Sequence, residues 1–133
     1  MARTAHEKAG CGKLLDAWTA PVDAGDPVGC LATSFTFSAD FFEQECLARY
    51  LSLESSPEED GPAYLIEREE KLAQVSCAAA IVDQHHCRGE RSLRWDLLPA
   101  RPAAGILHAK VTILHWSRLV RLIVASANLT EEG

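Results

Sequence analysis

The sequence predicts a layered α/β domain built on a mixed β-sheet flanked by helices. Short apolar runs rich in branched residues alternate with stretches of helical spacing, in the order strand, helix, helix, strand, strand, hairpin. The 133 residues, nearly half of them hydrophobic, suffice for one core. No internal repeat or low-complexity segment interrupts that order.

Residues 1–27 are expected to form an N-terminal segment, part helix and part loop, ahead of a main domain over 28–133. Residues 13–18 suit a helical turn or two, stopped by Pro21, with Trp18 packing on the body; residues 22–27 mix Gly, Pro and Asp and read as a loop. Residues 28–37 are β-branched and aromatic with little charge, which predicts the first strand. Ser38 has the chemistry of an N-cap and Asp40 falls in the first turn that follows. A helix is therefore expected over 39–53, with Phe41/Phe42, Cys46/Leu47 and Tyr50/Leu51 as its apolar stripe. Residues 55–62 carry two prolines, a glycine and an acidic run, and read as an exposed linker. Residues 64–75 are helical in composition, with Leu65, Ile66, Leu72 and Val75 as apolar points; a short strand at their start is the alternative. The apolar run 77–83 predicts a buried strand, because it ends in the polar loop 84–90 after so few residues. Residues 93–98 alternate as a half-buried strand does, and Pro99, Pro102 and Gly105 break the chain before two final apolar runs, 105–114 and 121–130.

Composition narrows the function classes. The net charge of −6 argues against a globally basic nucleic-acid binder. Acid gathers between Glu54 and Glu70, whereas Arg88, Arg91, Arg94, Arg101, Lys110, Arg118 and Arg121 give the C-terminal third a positive balance that would attract an anion. Residues 1–8 are polar with no apolar stretch behind them, so no secretory signal is expected, and no window is apolar enough to span a membrane. Five scattered cysteines then read as reduced thiols of a cytoplasmic protein.

The final runs carry polar groups where a plain core strand would not. His108 and Lys110 are two apart and would face the same way on an extended chain; Ser126 and Asn128 repeat that spacing. Two neighbouring strands would bring all four to one patch. A neutral imidazole attacks phosphorus, an ammonium holds phosphate oxygens, and an amide N–H and a hydroxyl add donors. Such a set would hold a phosphodiester with neither a metal nor a cofactor.

His108-Ala109-Lys110 followed by Ser126-Ala127-Asn128-Leu129-Thr130 resembles one half-site of the phospholipase D superfamily. His115 fills the position of that family's usual Asp, and Ala125 stands for its Gly. These features, with the interval from His108 to Asn128, look most like the tyrosyl-DNA phosphodiesterase type, which works with His, Lys and Asn. The resemblance covers roughly residues 105–130 and implies half of a phospholipase D-like fold. It implies a metal-independent phosphodiesterase, His108 as nucleophile forming a phosphohistidine, Lys110 and Asn128 as phosphate binders and Ser126 as a further contact. The implied substrate is a DNA-end or other nucleic-acid phosphodiester, as in DNA repair. A second histidine would protonate the leaving oxygen, supplied by a C-terminal half beyond a truncated end or by a homodimer partner.

Other readings compete. A non-catalytic nucleic-acid-binding or interaction module would keep the half-site as scaffold. Cys77, His85, His86 and Cys87 match no common zinc spacing, and a polar loop accounts for them more simply. His115 is expected near the hairpin turn, facing away from His108.

Overall fold

The computed structural model describes residues 10–90 and 92–132. Residues 1–8, read for a secretory signal, lie outside the described residues, as does Arg91. The strands are β1 (Pro27–Ser34), β2 (Phe37–Ser38), β3 (Cys77–Asp83), β4 (Cys87–Arg88), β5 (Asp96–Ala100), β6 (Val111–Trp116) and β7 (Leu119–Val124). Five make one mixed sheet in the order β5-β3-β1-β6-β7; β2 and β4 pair separately. β5, β3 and β1 run parallel, β6 runs antiparallel to β1, and β7 antiparallel to β6. The layered α/β class is as predicted.

This topology collects ends. The C-terminal ends of β1 and β3, the start of β6 and the finish of β7 all lie at one end of the sheet. The β6–β7 turn lies at the other end and is fastened there. Ser117 N donates to Asp26 O at 2.7 Å, Arg118 N to Ala24 O at 2.9 Å, and Asp26 N to Ser117 Oγ at 3.0 Å.

Helices cover one face. Leu14 and Trp18 of the Gly10–Trp18 helix, Leu72 of the Pro62–Ala73 helix, and a helix over 39–50 all join the same core as Cys30, Ala32, Ala80, Val82, Leu114 and Trp116 of the sheet. Ser38 caps the 39–50 helix as predicted, accepting from Phe41 N at 3.3 Å. That helix widens into a π-helix at Phe42–Leu47 and returns to α-helix at Ala48–Tyr50. The sequence explains the widening: its first two apolar doublets, Phe41/Phe42 and Cys46/Leu47, are five residues apart, and five residues carry an α-helix about 140° past a full turn. Widening to i→i+5 bonding reduces the overshoot, so Phe42 and Leu47 are both fully buried. Phe42 meets Trp95 at 4.7 Å, Phe37 at 5.4 Å and Trp18 edge-on at 5.7 Å between ring centroids. Trp116 Nε1 donates to Tyr50 O, and Tyr50 OH to His115 O, which locks helix to hairpin.

The opposite sheet face is open at β7, where Leu122 is 63% and Val124 75% exposed. Among the described residues no helix is long and apolar enough to cross a membrane.

Several expectations need correction. The linker over 55–62 contains a helical turn, Pro57–Asp60, because Ser56 caps it and Pro57 enters at the first position. The first strand stops at Ser34 rather than running through residue 37, and the strand expected over 93–98 lies at Asp96–Ala100. β6 begins at Val111, so His108 and Lys110 precede the strand rather than alternating along it; likewise Ser126 and Asn128 follow β7.

Candidate functional site

The site grows from the end of β1. Ser34 is fully buried; its Oγ donates to Thr36 O at 2.6 Å and accepts from Leu129 N at 2.9 Å. Asn128 Oδ1 accepts from Phe35 N at 3.1 Å and Thr36 N at 3.2 Å. Two backbone donors fix which end of that amide is oxygen, so the NH2 group points away from those two N–H groups. Ser38 N donates to Leu129 O at 3.0 Å, completing the seam between the two segments.

The segment before β6 is sewn on similarly. Thr33 Oγ1 accepts from Val111 N at 2.9 Å and donates to Ala109 O at 2.9 Å. Leu107 N donates to Asp83 Oδ2 at 3.0 Å. These tertiary bonds satisfy backbone groups that a ladder would otherwise pair, and hold the chain irregular where His108 sits.

His108 is exposed and Lys110 half-buried. Lys110 Nζ lies against the His108 ring, 2.9 Å from Nδ1 and 3.4 Å from Nε2. The His108 ring lies against Phe35, with centroids 4.8 Å apart. His108, Lys110 and Asn128 thus meet around the Phe35–Thr36 loop, and exposed Ser126 follows β7 at the same end.

Three residues that the sequence did not assign to this site belong to this end: Phe35, Asp83, and His86, which was weighed only as a zinc ligand. Phe35 also carries the ring of His86, at 4.3 Å between centroids. His86 Nδ1 is 2.9 Å from Oδ1 of Asp83, which closes β3 and is 2% exposed. The His86 ring N–H, followed by the backbone N–H groups of His85 and Leu107, holds the Asp83 carboxyl at about 2. Asp83 is therefore ionised at neutral pH. The only sequence signal for this group was a histidine pair two and three residues beyond an aspartate that ends an apolar strand. Just past β4, Gly89 has φ +98° and packs on the start of the 39–50 helix: an added Cβ would come within 2.7 Å of Ala39 Cβ.

Other candidates lie apart. His115 is exposed on the side of β6 opposite the buried Leu114 and Trp116, two residues before the turn. Cys77 starts β3, so the strand's length separates it from His85, His86 and Cys87. Among the described residues no three Cys, His, Asp or Glu side chains cluster to hold a metal. A cleft of about 420 Å³ lined by Gly25, Pro27, Lys71 and Trp116 opens where β1 begins and β6 ends, away from His108.

The expected positive field is partly spent. Arg88 pairs with Glu131 at 2.7 Å, Arg94 with Glu69 at 2.7 Å, and Arg121 donates to Ala17 O at 2.6 Å and Thr19 O at 2.9 Å. Lys110 stays at the site. No family model, curated protein or solved structure matches the chain.

Proposed function

We propose that this chain is a phospholipase D-like phosphodiesterase half, nearest the tyrosyl-DNA phosphodiesterase type, that acts through a phosphohistidine on His108. The observation that carries the reading is the meeting of His108, Lys110 and Asn128 at one sheet end, from two segments 18 to 20 residues apart in sequence. Ligands favour the region beyond the carboxyl ends of parallel strands.

The chemistry follows from the contacts. Phosphate oxygens attract Lys110 more strongly than a neutral imidazole does. Substrate would draw Nζ off the His108 ring, and the lone pair of a ring nitrogen would attack phosphorus. Lys110 and the Asn128 NH2 group would then stabilise the charge on the phosphoryl oxygens, with Ser126 as a further donor. The resemblance assigns protonation of the leaving oxygen to a second His-x-Lys histidine, from another half or another copy. With Arg88, Arg94 and Arg121 committed elsewhere, the charge beside Lys110 suits one terminal nucleic-acid phosphodiester better than a long duplex track.

The test is turnover of a short oligonucleotide bearing a 3′-aryl phosphodiester, in excess chelator. Wild type should release the aryl alcohol and, on rapid denaturation, show a phosphoryl adduct at His108 by mass spectrometry. His108→Ala should lose both, and Lys110→Ala should slow release about 10²–10³-fold. A requirement for divalent metal, or activity surviving in His108→Ala, would overturn the proposal.

A further inference from the structure

An aspartate closing a buried strand needs partners, and Asp83 has three: the N–H of His85, the N–H of Leu107 and the ring of His86. One carboxylate thus ties the loop after β3 to the segment that carries His108. With Nδ1–H donated to the carboxylate, His86 keeps Nε2 as its working nitrogen. The ring is held further by Phe35, and the His86 carbonyl accepts from Phe37 N at 2.9 Å. Phe35 therefore carries two imidazoles from separate segments, one beside an ammonium and one beside a carboxylate. Two like groups set in opposite charge environments divide naturally into nucleophile and acid–base partner.

We infer that His86, oriented by Asp83, is the acid–base partner of His108 within the same chain, in place of a histidine from another half-site. The inference rests on the phosphodiesterase reading. In the first step a ring nitrogen of His108 forms a bond to phosphorus, the bond from phosphorus to the leaving oxygen breaks, and that oxygen takes the proton from His86 Nε2. In the second step water attacks phosphorus and gives a proton to His86 Nε2; the phosphorus–nitrogen bond breaks and its electron pair returns to His108. One water is consumed and both histidines are restored.

The experiment uses the 133-residue chain and two diesters: one with a p-nitrophenyl leaving group, which departs without a proton, and one with an alkyl leaving group, which needs one. His86→Gln should remain folded by thermal melt. On the alkyl diester it should be slower by about 10²–10⁴-fold. On the nitrophenyl diester it should give a burst of one nitrophenolate per chain and then stall as the His108 adduct. Asp83→Asn should slow alkyl turnover about 10–100-fold. Rate per chain should stay constant on dilution. A wild type that turns over while His86→Gln keeps pace on both diesters sinks this inference alone. So does a rate per chain that falls on dilution, which would assign the acid to a second copy. A wild type inert to both diesters, with no adduct, sinks the phosphodiesterase reading and this inference with it.

Discussion

Replacing Asn128 with alanine removes the acceptor for two backbone N–H groups, those of Phe35 and Thr36. Both bonds are part-buried and of ordinary length, 3.1 and 3.2 Å. Each is worth about 1 kcal/mol net, so Asn128→Ala should lose about 2 kcal/mol. For a domain of this length each kcal/mol moves the melting temperature by about 3–5 °C, giving a fall of about 6–10 °C. Asn128→Asp keeps an oxygen for both donors and the same shape, and should melt within about 2 °C of wild type. It loses the NH2 donors, however, and places negative charge where phosphate should bind. The two variants should therefore differ in stability and share a loss of phosphodiester turnover. Thermal melts by circular dichroism, run beside the oligonucleotide assay, read both quantities. Asn128→Ala melting with wild type, or Asn128→Asp falling as far as alanine, would refute the assignment of Oδ1 to the β1 loop.

Two further expectations concern the scaffold. Partial burial pushes the Glu67 carboxyl up, but the Glu54 N–H, the Ser55 hydroxyl and N–H, and Lys71 outweigh it and hold it at about 2. A depressed carboxylate contributes stability above its unfolded value near 4.5 and loses it as pH falls toward 2. Wild type should therefore lose melting temperature more steeply than Glu67→Gln between pH 4.5 and 2, and exceed it by about 1 kcal/mol at neutral pH; parallel acid profiles would refute the contact. Burial, with Cys77 nearby, pushes the Cys30 thiol up to about 12, whereas Cys77 itself is exposed. Brief iodoacetamide treatment at pH 8 with peptide mapping should label Cys77 roughly a hundredfold faster than Cys30, and comparable rates would place β1 the wrong way round.

The parts of the fold legible in the sequence are those set by local pattern. The apolar run of β3, the Ser38 cap and the final hairpin all follow from residue type and spacing. The hairpin also implied that His108, Lys110, Ser126 and Asn128 share one end. Their exact setting was not legible, because tertiary bonds decide it. Thr33 Oγ1 and the Asp83 carboxylate hold the backbone around His108, and Asn128 takes the N–H groups of Phe35 and Thr36 out of any ladder. No periodicity records such captures. Phe35, read as mid-strand, was hidden for the same reason, and His86 for want of a partner visible in sequence. The Pro57–Asp60 helix is different: Ser56 ahead of a proline and three acids is a helix start, and its composition obscured it.

The hairpin's geometry has a consequence for variation along the chain. β6 leads away from the site, β7 leads back, and their closed end is pinned to residues 24–26. Sliding one strand past the other would push one tip outward and draw the other inward. The gap between Lys110 and Asn128 is thus a caliper setting, read from strand register rather than from contacts beside the phosphate. Leu114 and Trp116, buried at every second position, are the detents that hold it, since a one-rung slip would turn them to solvent. Tolerance to insertion should accordingly be low along the strand axis: a single residue added between Val111 and Leu114 resets the jaws.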